Sequence, residues 1–113
     1  MKRSASMSVV VVGDVLLDVD QVGEAARLSP DAPVPVVDVI DTVRRAGGAG
    51  LVANLLARDG HAVTLVTALG DDSAANDLRS ELGGVRLVVG RSFVPTSVKT
   101  RLRAGSHLSL IHI

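Results

Sequence analysis

Apolar residues in this chain come in short runs, and glycine or proline closes most of them. Val9-Val10-Val11-Val12 is an unbroken β-branched run ended by Gly13. That is the pattern of a strand buried on both faces, as in a parallel sheet covered by helices. The pattern loosens from Val19 to Ala26. Leu28-Ser29-Pro30-Asp31-Ala32-Pro33-Val34-Pro35 follows, where the prolines forbid a helix and favour extended chain. Pro35 to Val43 alternates weakly and is assigned to an edge strand, the position that tolerates proline. Ala46-Gly47-Gly48-Ala49-Gly50 reads as a glycine-rich turn, and Leu51 to Arg58 carries apolar residues at helical spacing, with Gly60 at the C-terminal cap. Ala62 to Ala68 is a second buried strand ending at Gly70. Asp71, Asp72 and Ser73 can cap a helix running to Leu82, which Gly83-Gly84 stops. Val85 to Val89 is a third strand, and Val98 to Arg103 alternates apolar and basic residues as a half-exposed strand does. The order strand, helix, strand, helix, strand predicts an α/β fold with a largely parallel sheet covered by helices.

Composition narrows the function classes. The chain has 113 residues, room for one small domain or a piece of a larger one. With 47% hydrophobic residues and a mean hydropathy of +0.38 it has ample material for a packed core, which excludes general disorder. Twelve basic and twelve acidic residues cancel, so there is no charge footprint for nucleic acid or an anionic membrane. Phe93 is the one aromatic residue, which excludes a base-stacking platform. The absence of cysteine removes disulfides, thiolate metal sites and cysteine nucleophiles, and fits a cytoplasmic protein. No apolar run is long enough for a signal peptide or a membrane helix. Residues 1–8 are polar and are expected to be a disordered start. Residues 108–113 stand apart in composition, because two of the three isoleucines, Ile111 and Ile113, fall there. CTG TCT CTT ATA CAC ATC, the mosaic end of a sequencing transposon adapter, encodes the same six residues, so this tail is expected to be non-native.

Three segments carry candidate chemistry. Asp14 and Asp18 follow the opening strand, and ligands of open α/β sheets bind beyond the carboxyl ends of strands. A carboxylate there accepts paired hydroxyl hydrogen bonds, which suits a sugar, although solvated turn residues have the same spacing. A dinucleotide site is excluded: one glycine followed by aspartate is no G-x-G-x-x-G turn, and the first helix comes too late. Gly47 and Gly48 enter a helix and let the backbone approach a ligand closely. Lys99, Arg101 and Arg103 share one strand face, which fits either a sugar phosphate or a solvated edge. His61 and His107 have no metal-ligand spacing and read as ordinary polar residues.

In order, VVVVGDVLLD (Val9 to Asp18), RLSPDAPVPVVDV (Arg27 to Val39), AGGAGLVANLLARDG (Ala46 to Gly60), LVTALGDD (Leu65 to Asp72) and PTSVKTRLRA (Pro95 to Ala104) resemble the ribokinase-like (PfkB) carbohydrate kinases. The S-P-D-A-P-V-P-V-V stretch is most similar to the heptose 7-phosphate kinases, which are often fused to an adenylyltransferase. The resemblance implies a helix-covered sheet with a small β lid drawn from Val19 to Ala26 and Pro35 to Val43. It also implies an acceptor site in which Asp18 binds sugar hydroxyls, Gly47 and Gly48 contact the sugar, and Lys99 and Arg101 meet a substrate phosphate. Asp72 is then the more structural aspartate of a G-x-D motif. Leu51 stands where the family usually has asparagine, with Asn54 one turn further on. Leu16 replaces the sugar-binding asparagine of ribokinases proper, which argues against a pentose held in their manner.

The family's catalytic aspartate, in a G-A-G-D-like motif, and its ATP pocket have no counterpart in these residues. Residues 9–107 are accordingly expected to be the N-terminal part of a kinase domain, inactive alone and binding neither ATP nor Mg²⁺, both of which the parent enzyme uses. The parent is expected to phosphorylate O1 of D-glycero-β-D-manno-heptose 7-phosphate, with homodimer pairing through the lid as the family implies. The competing readings are a PfkB kinase of another sugar and a non-catalytic sugar-binding module.

Overall fold

The computed structural model describes residues 5–28, 35–104 and 107–112. The elements are β1 (Ser8–Val12), β2 (Val15–Leu28), β3 (Pro35–Gly48), α1 (Ala49–Arg58), β4 (Ala62–Leu69), α2 (Ser73–Glu81), β5 (Arg86–Arg91), β6 (Val98–Ala104) and β7 (His107–His112). They form two sheets. One is all parallel, in the order β1-β4-β5, and the other runs β3-β2-β6-β7. In the second, β2 pairs antiparallel with β3 and parallel with β6, while β7 pairs antiparallel with β6. The α/β class and its mainly parallel strands agree with the sequence reading, and β3 lies at a sheet edge as expected.

Both-face burial of the parallel strands is corrected. The residues of β1 alternate between exposed and half-buried, with Val10 at 64% and Val12 at 74% exposure, and Val88 of β5 is 45% exposed. The topology explains this. The crossovers through α1 and α2 both step the same way along β1-β4-β5, and right-handed crossovers stepping one way lay their helices on one face. That face holds the core, where Val63, Leu65 and Leu69 of β4 pack with Ala53 of α1 and with Ala75, Leu78 and Leu82 in and just after α2. The result is a slab of 58 × 43 × 17 Å with a radius of gyration of 17.6 Å, where a compact chain of this length has about 13 Å.

Two local expectations also shift. The glycine-rich turn is confined to one residue: β3 runs to Gly48 and α1 begins at Ala49 without a break. Gly48 makes the corner with φ +59° and ψ −133°, a backbone state open to glycine and strained for other residues. Residues 1–4 of the expected disordered start, and Ser29 to Val34 of the proline segment, lie outside the described residues. Ser6 to Ser8 are held: the Ser6 hydroxyl donates to the Gly60 carbonyl at 3.1 Å, the Met7 amide donates to His61 Nδ1 at 3.1 Å, and Ser8 opens β1. The C-terminal end of α1 is as anticipated. Gly60, at φ +93°, donates to the Ala57 carbonyl and His61 donates to the Leu56 carbonyl, closing a Schellman motif.

Candidate acceptor site

Strand parity builds the site. Val15, Leu17 and Val19 of β2 point into the core, so Leu16, Asp18 and Asp20 face the other way. Register then sets the neighbours. Asp18 lies between Arg45 of β3 and Lys99 of β6, and Asp20 lies between Val43 and Arg101. These side chains, with Leu51 of α1, line one cleft of about 230 Å³. Among the described residues, no hydrogen bond or ion pair engages the side chains of Asp18, Arg45, Lys99 or Arg101. The cleft thus presents one uncommitted carboxylate and three uncommitted cations.

Gly47 is tied to Asp18 by contact. A Cβ built on Gly47 would overlap Oδ2 of Asp18 and stand 2.7 Å from Cδ1 of Leu16. The carboxylate therefore rests directly over the glycine backbone, in the space a side chain would fill. Gly48 and Asp14 do a different job. The Ala49 amide donates to the Asp14 carbonyl at 2.9 Å, and a Cβ on Gly48 would lie 2.7 Å from that oxygen. The structure uses the main chain of Asp14 to seat the start of α1. Its residue borders a separate hollow with Gly70 and Thr96 and does not join the Asp18 cleft.

The expected row of cations is also revised. Arg103 is committed to Asp20: Nη2 lies 3.0 Å from Oδ2 and Nε lies 3.3 Å from Oδ1, a two-point pair. Arg45 takes its place beside the cleft. Sequence reasoning missed Arg45 because only the β2/β3 register brings it opposite Asp18. The doublet Arg44-Arg45 in a strand was the available signal, since strand parity must send the two to opposite faces. Arg44 indeed points to the helix side, 3.8 Å from Asp77 of α2. Asn54 does not substitute for the asparagine missing at Leu51, because its amide donates to the Glu81 carbonyl at 3.0 Å and ties α1 to the end of α2.

Asp72 is structural here. It caps α2 by accepting from the Ala75 amide at 2.9 Å and accepts from the Thr96 amide at 2.8 Å, fastening the loop before β6. The Thr96 and Ala75 hydrogen bonds hold its carboxyl below the usual value near 3.8, against a smaller upward push from burial. Gly70 of the same G-x-D motif leaves room for this knot, since a Cβ there would meet Asp72 Oδ2 at 2.8 Å and the Val94 carbonyl at 2.9 Å. Among the described residues no group of three His, Asp or Glu side chains could hold a metal ion, and no helix is long and apolar enough to cross a membrane.

Comparison with known proteins fits this geometry. Residues 6–97 match the pfkB family carbohydrate kinases. The chain is 52% identical over 80 residues to a bifunctional protein HldE of Streptomyces coelicolor, covering 71% of this chain and 17% of that protein. It is 43% identical over 116 residues to a bifunctional protein HldE of Pseudomonas fluorescens, covering 100% of this chain and 24% of that protein. The chain therefore spans about a quarter or less of the length of these relatives. Among solved structures, it superimposes on an Arabidopsis thaliana ribokinase complexed with ribose and ATP with a TM-score of 0.72 at 22% identity, covering 96% of this chain and 35% of that one. A carbohydrate kinase from Agrobacterium tumefaciens gives 0.73 at 18% identity, covering 96% and 36%. These structural likenesses show the ribokinase-like fold, and the family match over most of the chain settles membership: the chain belongs to the pfkB family of carbohydrate kinases.

Proposed function

We propose that this chain is the acceptor-binding part of an ATP-dependent sugar kinase whose substrate is a phosphorylated sugar, D-glycero-β-D-manno-heptose 7-phosphate, phosphorylated at O1. The observation that carries the reading is the uncommitted Asp18 carboxylate lying against Gly47, with uncommitted cations on both flanking strands. A carboxylate accepts two sugar hydroxyls at once, and a cationic flank binds a phosphate. The names of the HldE relatives support the heptose assignment.

In this reading Asp18 orients the sugar ring, Gly47 leaves the room in which that carboxylate sits, and Lys99 and Arg101 on the flanking strand hold the phosphate. Phosphoryl transfer depends chiefly on positioning and on charge stabilisation around the transferred group, and these residues supply positioning of the acceptor. ATP would supply the phosphoryl group and Mg²⁺ its charge neutralisation. The donor side and the catalytic base belong, in this proposal, to the rest of a longer polypeptide.

The test is Asp18→Asn in the full-length kinase, reading kcat/KM for heptose 7-phosphate and, separately, the Kd of ATP. Loss of a charged acceptor costs about 1.5–3 kcal/mol, a tenfold or larger fall in sugar kcat/KM, with the ATP Kd unchanged. An unaltered sugar kcat/KM would remove Asp18 from the site.

A further inference from the structure

We propose that Arg45 is a specificity-determining residue which, with Lys99 and Arg101, makes this site select a phosphorylated acceptor over the free sugar, and that the Arg103–Asp20 pair preserves that selectivity. This rests on the reading of the cleft as an acceptor site and goes beyond it. It replaces one expected cation, adds another and assigns a role to an ion pair.

The cleft is bordered by two carboxylates, Asp18 and Asp20, and by three cations, Arg45, Lys99 and Arg101. Left to themselves, two carboxylates would cancel most of the attraction for an incoming dianion. Arg103 prevents this. It reaches across from β6 with two nitrogens on the two oxygens of Asp20, at 3.0 and 3.3 Å, and neutralises that carboxylate from outside the cleft lining. What remains is one negative charge at Asp18 against three positive ones. An exposed pair of this kind adds little to stability, so its consequence is local charge.

Arg45 and Lys99 flank Asp18 on adjacent strands, each about 4.8 Å away in the sheet, and Arg101 is two residues further along β6. A ligand with a hydroxyl on Asp18 therefore has cations on both sides of β2. Arg45 is the fork-shaped donor on the β3 side, suited to two phosphate oxygens at once, whereas Lys99 offers a point charge. Because no partner among the described residues occupies these three side chains, binding an anion breaks no existing bond.

The experiment uses the full-length kinase with two acceptors, heptose 7-phosphate and the unphosphorylated heptose, and reads the ratio of their kcat/KM values. Arg45→Ala should lower that ratio about tenfold or more, chiefly through KM for the phosphorylated sugar, and Arg45→Lys should recover part of it. Arg103→Ala frees Asp20 to compete for Arg101 and should lower the ratio as well. Adding Asp20→Asn to Arg103→Ala should restore it, a rescue that a merely structural role for the pair would not give. If the wild-type enzyme turns over neither acceptor, the acceptor reading itself fails. If it prefers the phosphorylated sugar but Arg45→Ala leaves the ratio unchanged, or the double variant is no better than Arg103→Ala, the present inference fails alone. Thermal melts of each variant separate misfolding from selectivity, and the Asp20→Asn/Arg103→Ala double variant remains decisive if Arg45→Ala does not fold.

Discussion

Gly47→Ala is the most direct perturbation of the proposed acceptor site, because it adds one methyl group and removes no polar atom. That methyl would overlap Oδ2 of Asp18 and press on Cδ1 of Leu16 at 2.7 Å. Both are ends of side chains, so relief comes by rotating them and not by moving β3, whose backbone is held by its pairing with Leu16 and Leu17. Overpacking of this kind costs roughly 1–3 kcal/mol of stability, enough to measure and too little to unfold a typical enzyme domain. The functional effect should be larger than the structural one. A carboxylate swung off the glycine can no longer accept paired hydroxyl bonds, which removes about 1.5–3 kcal/mol of acceptor binding, a KM increase of tenfold or more. Steady-state kinetics of the full-length kinase with the sugar phosphate, alongside urea unfolding, measures both quantities. The decisive comparison is the double variant. If Gly47 acts by seating Asp18, adding Gly47→Ala to Asp18→Asn costs little further sugar affinity. Losses that multiply in the double variant would refute the coupling, as would a Gly47→Ala enzyme with normal sugar KM.

Two other predictions concern stability. Asp72 is held below its usual pKa by the Thr96 and Ala75 hydrogen bonds, so its contribution is present above about pH 3.8 and is lost as pH falls through the depressed folded value; the stability gap between wild type and Asp72→Asn should narrow on acidification, and a gap that widens would contradict the assignment. The 113-residue chain by itself should show no sugar-dependent ADP release and should self-associate through the bare sheet face of Val10, Val12 and Val88; a soluble monomer with a sharp cooperative melt would show that this face is tolerated in water.

The local rules of the sequence carried most of the elements. The β-branched run at Val9, the Asp72 cap and Gly60 at the end of α1 each state a local preference, and each element formed where that preference put it. What the sequence left illegible was relational. Nothing in Val9 to Val12 says whether one face or two will be covered, because that depends on which way the crossovers step. Gly47 and Gly48 look alike in a glycine-rich stretch, yet one clears space for a carboxylate and the other turns the chain into a helix. Arg103 shares strand parity with Lys99 and Arg101, and its removal from the cation row follows from Asp20 lying within reach on the next strand. The Arg44-Arg45 doublet tells that one of the two faces each side of the sheet, but only the register with β2 brings Arg45 opposite Asp18.

The same register divides the β2–β3 hairpin into two parts with different support. From Leu17 to Gly23 every residue of β2 has a register partner on both sides, in β3 and in β6, and the parallel pairing ends at Gly23 opposite Ala104. The ladder with β3 also slips at this point, with irregularities between Val22 and Gly23 and again between Glu24 and Arg27. Gly23 is needed there, since a Cβ would collide with the Asp38 carbonyl. A bulge increases twist and bends the strand it interrupts, so the hairpin is re-aimed as it leaves the cover of β6. Within the segment that the family resemblance assigns to a lid, from Val19 onward, the change in pairing falls at Gly23. The distinction has a physical consequence. Asp18 and Asp20 lie in the doubly held part, where their positions are fixed before a ligand arrives, which is what a positioning site requires. Among the described residues the hairpin beyond Gly23 is paired on one side alone, so a change in its angle need not disturb the doubly paired stretch that carries Asp18.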